Sequence, residues 1–237
     1  MPLTTESSYR EIYQHLTQLS TSSICDAFAS VRLMDSKIHP VGDTGQCIGR
    51  AYTVDSAQDS LSTMQALDDL PAFLLSLDCA DDIVPILLVI ASIGAKHALA
   101  GGMCAAVAKI NGFGGVVTDG YYRDIPEIKD TGLPFFGKGK CAKSGTKDKV
   151  GTLRQPIVCG GIDVGPGDII FADVDGIVAM TKEEAVTAIN KAEEIQSMEL
   201  IALQRIKEGA RFNQICNIDE HVHILQEGEP SKLEFTL

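Results

Sequence analysis

The chain contains no tryptophan, and only 5% of its 237 residues are aromatic. A surface that stacks bases needs exposed rings, so this scarcity argues against an RNA-reading platform. Basic residues are short as well: 20 lysines and arginines stand against 32 acidic residues, a formal charge of −12. Such a field repels phosphate backbones and makes nucleic acid a poor primary ligand. An anionic substrate would need cations placed locally against it. No apolar run reaches the roughly 18 residues of a membrane span; the longest, "IVPILLVIASIGA", reads as a buried strand. The opening segment "MPLTTESSYREIYQHLTQL" reads as an amphipathic helix and not as a secretory leader. Among the seven cysteines (Cys25, Cys47, Cys79, Cys104, Cys141, Cys159, Cys216) there is no C-x-x-C. Their irregular spacing and apolar settings point to small buried hydrophobes in a reducing compartment, so a cytoplasmic location is expected. No G-x-G-x-x-G follows a first strand, and "GIDVGPGD" lacks the Lys-Ser/Thr of a phosphate loop, which leaves it a role in turn geometry.

What is present is a globular composition: 45% apolar residues, 22 glycines and a mean hydropathy of +0.10. Tyr9, Ile12, Tyr13, Leu16 and Leu19 recur at helical spacing and predict a helix over residues 6–20. "STSSICDAFASV" offers caps for a second helix, "GQCIGRAYTVD" reads as a strand, and "DSLSTMQALDDL" as a capped helix. "IVPILLVIAS" and "FGGVVTDG" predict buried strands around a small-residue helix at 101–111 closed by Asn111-Gly112, the pattern of a parallel β-α-β unit. After Gly137 a polar, basic stretch predicts a long loop or ragged hairpin. Glycine and proline turns then predict a meander, and "TKEE" starts a long amphipathic helix. The tail, about 210–237, has room for one strand. With no linker or internal repeat, one domain over residues 1–237 is expected.

Two loops carry candidate chemistry. Gly101-Gly102 at a helix start leaves the N–H groups of residues 101–104 approachable, a site for carboxylate or phosphate. Taken alone, a glycine pair more often serves only a tight strand-to-helix turn or close packing. Arg123-Asp124 follows the next buried strand, where open α/β sheets place ligands. Arg123 can grip a carboxylate and steady an enolate oxygen. Asp124 is a hard ligand suited to Mg²⁺ or Mn²⁺, and Glu127 shares its face if the segment is helical. An isolated Arg-Asp pair is otherwise a solvated turn. Together the two loops would lie side by side at one sheet edge, a site for a 2-oxo acid. Cys104 at the helix start is a weaker nucleophile candidate, without a nearby histidine partner in sequence. His221 and His223 in "EHVHI" read as a polar strand face.

Gly102, then twenty residues, then Arg123-Asp124-x-x-Glu127 resembles the G-x20-R-D-x2-E/D motif of the RraA-like proteins. That family includes 4-hydroxy-4-methyl-2-oxoglutarate/4-carboxy-4-hydroxy-2-oxoadipate aldolases and oxaloacetate decarboxylases. "SSICDAF", "CIGRAYTV" and "PIVCGGIDVGPGDIIFADVDGIVAM" are similar to further family segments, so the resemblance covers most of residues 20–210. It implies a swivelling β/β/α domain, an α/β fold with a mixed sheet core flanked by helices and a long C-terminal helix, assembled as a trimer or hexamer. It further implies that the amides of Gly101, Gly102, Met103 and Cys104 hold a pyruvyl carboxylate. Arg123 would bind the substrate oxygens, and Asp124 would be the protein ligand of a divalent metal, Mg²⁺ or Mn²⁺. Glu127 and, from a neighbouring subunit, Glu199 would stand in the outer sphere.

The implied reaction is carbon–carbon cleavage of a 2-oxo acid through a pyruvate enolate, by aldol cleavage or by decarboxylation of oxaloacetate. Aldolases of the family usually carry an acidic residue where this chain has Gly102. Decarboxylation needs no hydroxyl deprotonation, so Gly102 tilts the expectation towards oxaloacetate. The family also includes non-catalytic regulators that bind a ribonuclease; those lack the metal-binding aspartate, which is present here as Asp124. A methyltransferase reading finds no glycine-rich S-adenosylmethionine loop.

Overall fold

The computed structural model describes residues 2–77 and 84–236. Cys79 and the first residue of the longest apolar run, Ile83, lie outside them. Contacts divide the chain into two compact units, Met1–Ile189 and Asn190–Leu237.

In the first unit, helix α1 (Tyr9–Leu16) opens with a reciprocal cap: Glu11 N–H donates to Ser8 Oγ (3.2 Å) and Ser8 N–H to Glu11 Oε2 (2.7 Å). Helix α2 (Thr21–Ala27) is capped by Ser20. Its first residue is also clamped by Asp173, which accepts from Thr21 N–H (2.8 Å) and Thr21 Oγ1 (2.6 Å). Short strands β1 (Arg32–Leu33) and β2 (His39–Pro40) lead to the long strand β3 (Cys47–Asp55). Helices α3 (Leu61–Asp68) and α4 (Leu70–Ser76) follow, then β4 (Ile86–Ala91) and β5 (Ala98–Ala100). Helix α5 (Gly102–Ile110), strand β6 (Gly115–Tyr122), helix α6 (Ile125–Thr131) and strand β7 (Phe135–Lys140) complete the parallel part. After a polar loop come β8 (Thr152–Leu153), the hairpin β9 (Ile157–Cys159) and β10 (Ile162–Val164), then β11 (Ile169–Ala172) and β12 (Ile177–Met180).

Among the described residues ten strands form one mixed sheet, ordered β1-β12-β11-β3-β4-β6-β7-β2, with β5 beside β6 and β8 beside β3. The central pairs β3–β4, β4–β6 and β6–β7 are parallel, while β11 joins β3 and β12 antiparallel. Side chains alternate across the sheet. Tyr52, Val54, Leu88 and Ile90 pack with residues of α3, α4 and α5 on one face. Ala51, Leu87, Val89 and Val117 pack with Ile157, Cys159 and Val164 of the hairpin and with Ile170 of β11 on the other. Burial on both faces explains the unbroken apolar run of β4. Each such leucine or isoleucine contributes about 1.5–3 kcal/mol by leaving water.

Helix α7 (Lys182–Lys207) starts where "TKEE" predicts: Thr181 N–H donates to Glu184 Oε2 (2.7 Å) and Glu184 N–H to Thr181 Oγ1 (3.2 Å). The boundary between the units falls inside this helix. The second unit adds a 3₁₀ turn at Phe212–Gln214, helix α8 (Ile218–Gln226) and an isolated bridge between Cys216 and Phe235. This corrects the strand reading of "EHVHI". His221 and His223 sit two apart on a helix, about 200° around its axis, so they share no face. His221 Nδ1 lies 2.9 Å from Ser231 Oγ, and His223 Nε2 pairs with Glu227 at 3.5 Å.

Candidate functional site

Strand β6 runs on to Tyr122, past the Gly120 at which the predicted strand "FGGVVTDG" ends. Asp119 within it serves the scaffold: Ser92 N–H (2.6 Å) and Gly160 N–H (3.2 Å) donate to its two carboxylate oxygens. Arg123-Asp124 then sits directly at the strand's carboxyl end. Because β5 runs parallel to β6, the end of β5 and the start of α5 lie beside that pair, and Arg123 N–H donates to Ala100 O at 3.3 Å.

The two glycines permit this closeness. A Cβ on Gly101 would meet Asp124 Oδ2 at 2.8 Å and Arg123 Cγ at 3.1 Å. A Cβ on Gly102 would meet Glu127 Cβ at 2.5 Å. Gly101 caps α5 in extended conformation, and Ala105 N–H returns to Gly101 O at 3.0 Å. The N–H groups of Gly102, Met103 and Cys104 therefore have no intrahelical acceptor. They form the positive end of a nine-residue helix dipole set against Arg123 and Asp124.

Asp124 caps α6 at φ +59°, ψ +52°, in the left-handed region. A non-glycine residue held there at the mouth of a cleft is typical of functional positions. Its Oδ2 lies 3.3 Å from Arg123 Nε, and both side chains are about two-fifths exposed, at 39% and 43%. One half-exposed carboxylate leaves room for water around a bound cation. Among the described residues no three His, Cys, Asp or Glu side chains gather into a metal-holding group. This donor set suits Mg²⁺ or Mn²⁺, which keep several waters and take few carboxylates, and does not suit zinc with its three or four protein ligands.

A cavity of about 330 Å³ opens at this pair. Gly101, Met103, Cys104 and Val107 of α5 form one wall, and Ser60, Thr63, Met64 and Leu67, one face of α3, form another. Ser144 and Lys147 reach it from the loop between β7 and β8. That loop is fastened at Asp59, which is fully buried. Burial alone would raise the Asp59 pKa. Donation from Thr146 Oγ1 and from the N–H groups of Leu61, Asp148 and Lys149 outweighs it and holds the carboxyl well below the usual range.

The structure thus brings Gly101, Gly102, Met103, Cys104, Arg123 and Asp124 together. Glu127 packs against Gly102 and does not line the cavity. Glu199 is an exposed residue of α7 in the second unit. Cys104 is only half-buried as a residue, yet burial of its thiol pushes the pKa up to about 12, which removes it as a thiolate nucleophile at neutral pH. Thr63, Ser144 and Lys147 also line the cavity and carry no motif in the sequence. The spacing of Ser60, Thr63, Met64 and Leu67 marks one helix face, with a hydroxyl inside it.

A helix terminus with free amides beside an Arg-Asp pair, at the carboxyl ends of parallel strands, is the candidate site of this sheet, in the place where open α/β sheets hold ligands. The family model described as "RraA-like: Aldolase/RraA" matches residues 21–179, and the chain belongs to this family. A relative from Halalkalibacterium halodurans, named "Putative 4-hydroxy-4-methyl-2-oxoglutarate aldolase", is 30% identical over 76% of this chain and 80% of its own. An uncharacterized protein from Pseudomonas syringae pv. tomato shares the fold with a TM-score of 0.70 and 21% identity, over 90% of this chain and 98% of that one. The RNA-processing inhibitor RraA from Thermus thermophilis matches with a TM-score of 0.57 and 22% identity, over 68% and 92%. The α/β architecture expected from sequence, a mixed sheet with flanking helices and a long helix towards the C-terminus, is the one observed. No described helix is long and apolar enough to cross a membrane.

Proposed function

We propose that the chain is a divalent-metal-dependent lyase that breaks a carbon–carbon bond of a 2-oxo acid through a pyruvate enolate. The observation that carries this reading is the contact of the α5 N-terminus with Arg123 and Asp124, close enough that a methyl group on Gly101 would strike the carboxylate. The free amides of Gly102, Met103 and Cys104 receive the substrate carboxylate. Arg123 faces the 2-oxo oxygen, where negative charge grows as the bond breaks; its attraction therefore rises in the transition state. Asp124, held in one backbone conformation, would hold Mg²⁺ or Mn²⁺ as its single protein carboxylate. Such a cation, when bound, supplies Lewis-acid polarisation of the 2-oxo group. The apolar walls of α3 and α5 thin out water around these charges and strengthen them.

Decarboxylation of oxaloacetate fits this chain better than aldol cleavage. Position 102 carries no side chain, and Glu127, whose Cβ fills the space one would need, does not line the cavity, so no acidic group enters the cavity at that point to take a hydroxyl proton. The aldolase name of the Halalkalibacterium halodurans relative supports lyase chemistry in general. Asp124 supports catalysis over a purely regulatory role in binding a ribonuclease.

The test is pyruvate release from oxaloacetate and from 4-hydroxy-4-methyl-2-oxoglutarate, with Mg²⁺ and with EDTA. Oxaloacetate turned over faster, and only with metal, is the expected result. Faster aldol cleavage would sink the decarboxylase preference. Turnover that survives EDTA or loss of the Asp124 carboxylate would sink the metal reading.

A further inference from the structure

The polar loop beside the cavity concentrates the charge that the rest of the chain lacks. Residues 138–149, "KGKCAKSGTKDK", hold five of the thirteen lysines and a single acid, Asp148, in a chain of formal charge −12. Backbone pairing fixes where they stand. Lys140 lies opposite Tyr122, the residue before Arg123, and Cys141 N–H donates to Tyr122 O at 2.9 Å. Lys138, two residues earlier on β7, projects from the same face of the strand. Ala98 N–H donates to Lys143 O at 2.8 Å, which lays the loop along β5, the strand leading into α5. Lys147 then reaches the cavity, and Lys149 follows at the Asp59 latch. Lys96 stands beside them, its carbonyl accepting from Cys141 Sγ at 3.6 Å. All six lysines are exposed, and among the described residues none forms an ion pair. The carboxylates nearby are engaged elsewhere: Asp59 with the loop's own amides, Asp124 with Arg123 and Asp68 with Asn111.

We infer that this loop is an electrostatic guide. Its ammonium groups draw an anionic substrate to the mouth of the cavity, against the field of an acidic chain, and deliver it to Arg123 and the α5 amides. A cleft rimmed by one sign of charge over low-dielectric walls focuses the field and raises the local concentration of the opposite ion, with gains of roughly 10- to 1,000-fold in association. Paired lysines would have cancelled that field; these are left open to solvent and to whatever approaches. The guide acts before the chemistry, so it enters kcat/KM and leaves kcat. It rests on the 2-oxo acid reading above, which makes the ligand an anion.

The experiment compares the wild-type protein with two variants. K138Q/K140Q/K143Q/K149Q removes four charges and leaves the cavity-lining Lys147 in place; K138R/K140R/K143R/K149R keeps the charges. At fixed Mg²⁺, kcat and KM for oxaloacetate and the dissociation constant of pyruvate are measured from about 20 to about 500 mM ionic strength. Over that range the Debye length shrinks from roughly 20 Å to roughly 4 Å. The wild type is expected to lose about tenfold in kcat/KM as salt rises. The glutamine variant starts about tenfold lower and stays nearly flat, so the two meet at high salt. Their kcat values agree, the arginine variant follows the wild type, and all three melt within a few degrees of one another. Wild-type and glutamine curves that run parallel overturn the guide, as does a loss carried by kcat. An arginine variant that behaves like the glutamine one overturns it too, because the charge is then not what matters. A wild-type protein that neither binds pyruvate nor consumes oxaloacetate overturns the 2-oxo acid reading, and the guide with it. One that does either, with the same salt dependence in the glutamine variant, overturns the guide alone.

Discussion

Thr146 Oγ1 donates a 2.6 Å hydrogen bond to Asp59 Oδ2, and through it the loop bearing Ser144 and Lys147 is tied to the first turn of α3. The same oxygen accepts from Asp148 N–H (3.1 Å) and Lys149 N–H (3.3 Å), while Oδ1 accepts from Leu61 N–H (2.8 Å). One carboxylate thus fixes two walls of the cavity relative to each other.

Acid weakens this latch. The folded pKa of Asp59 lies below its unfolded value of about 3.9. Its stabilisation is therefore complete above that value and is lost as pH falls towards the folded pKa. D59N, which keeps the shape but loses the charge, is expected to melt below wild type at pH 7. The gap narrows once the pH drops under about 4. Thermal melts across pH 3–7 check this, and a constant gap would mean the charge is not what holds the loop.

Much of this architecture is legible in the sequence. The unbroken run of β4 announces a strand buried on both faces, and the change of period around Gly101 announces the helix that follows. Arg123-Asp124 could be placed because the residue types and the preceding strand sufficed. Thr63 could not, since a buried hydroxyl without a partner is defined by what surrounds it. Nor could the Asp59 latch, whose partners in the loop lie 87 to 90 residues away. "EHVHI" misled through its alternating histidines. Ile218, Val222 and Leu225 carry the helical spacing there, and Asp219 and Glu220 suit the positive end of α8.

Asp124 separates backbone from charge. Asn tolerates the left-handed conformation, whereas Ala incurs a penalty of about 1–2 kcal/mol there. D124N is therefore expected to keep the wild-type melting temperature within a few degrees, and D124A to melt lower. Both lose at least roughly 100-fold in oxaloacetate turnover, since the hard carboxylate is gone in each. Denaturant titration beside steady-state kinetics distinguishes the two effects. Activity retained in D124N would show that the carboxylate charge is dispensable.

Cys104 faces the cavity but is held as a thiol. With a pKa pushed up to about 12, its thiolate fraction at pH 8 is on the order of one in ten thousand. Iodoacetamide is expected to label it at least about 100-fold more slowly than an unperturbed thiol, with the rate still rising at pH 9 and above. Peptide mass spectrometry over a pH series measures this. Rapid labelling at pH 7 would return Cys104 to the candidate nucleophiles.

Gly102 sets two magnitudes against each other. Helix propensity alone favours G102A by up to about 1 kcal/mol. The new methyl group, however, meets Glu127 Cβ at 2.5 Å, where α5 packs on α6, and overpacking of this kind costs about 1–3 kcal/mol. Sterics are expected to win, so G102A is destabilised. E127G removes the obstructing side chain, and G102A/E127G recovers part of the loss, with a favourable coupling of about 1 kcal/mol in the double-mutant cycle. Chemistry follows the same geometry: G102D/E127G has room for the carboxylate that Gly102 lacks. It is expected to shift the ratio of aldol cleavage to oxaloacetate decarboxylation upwards relative to E127G alone. If the ratio does not move, a base at position 102 is not what separates the two reactions in this chain.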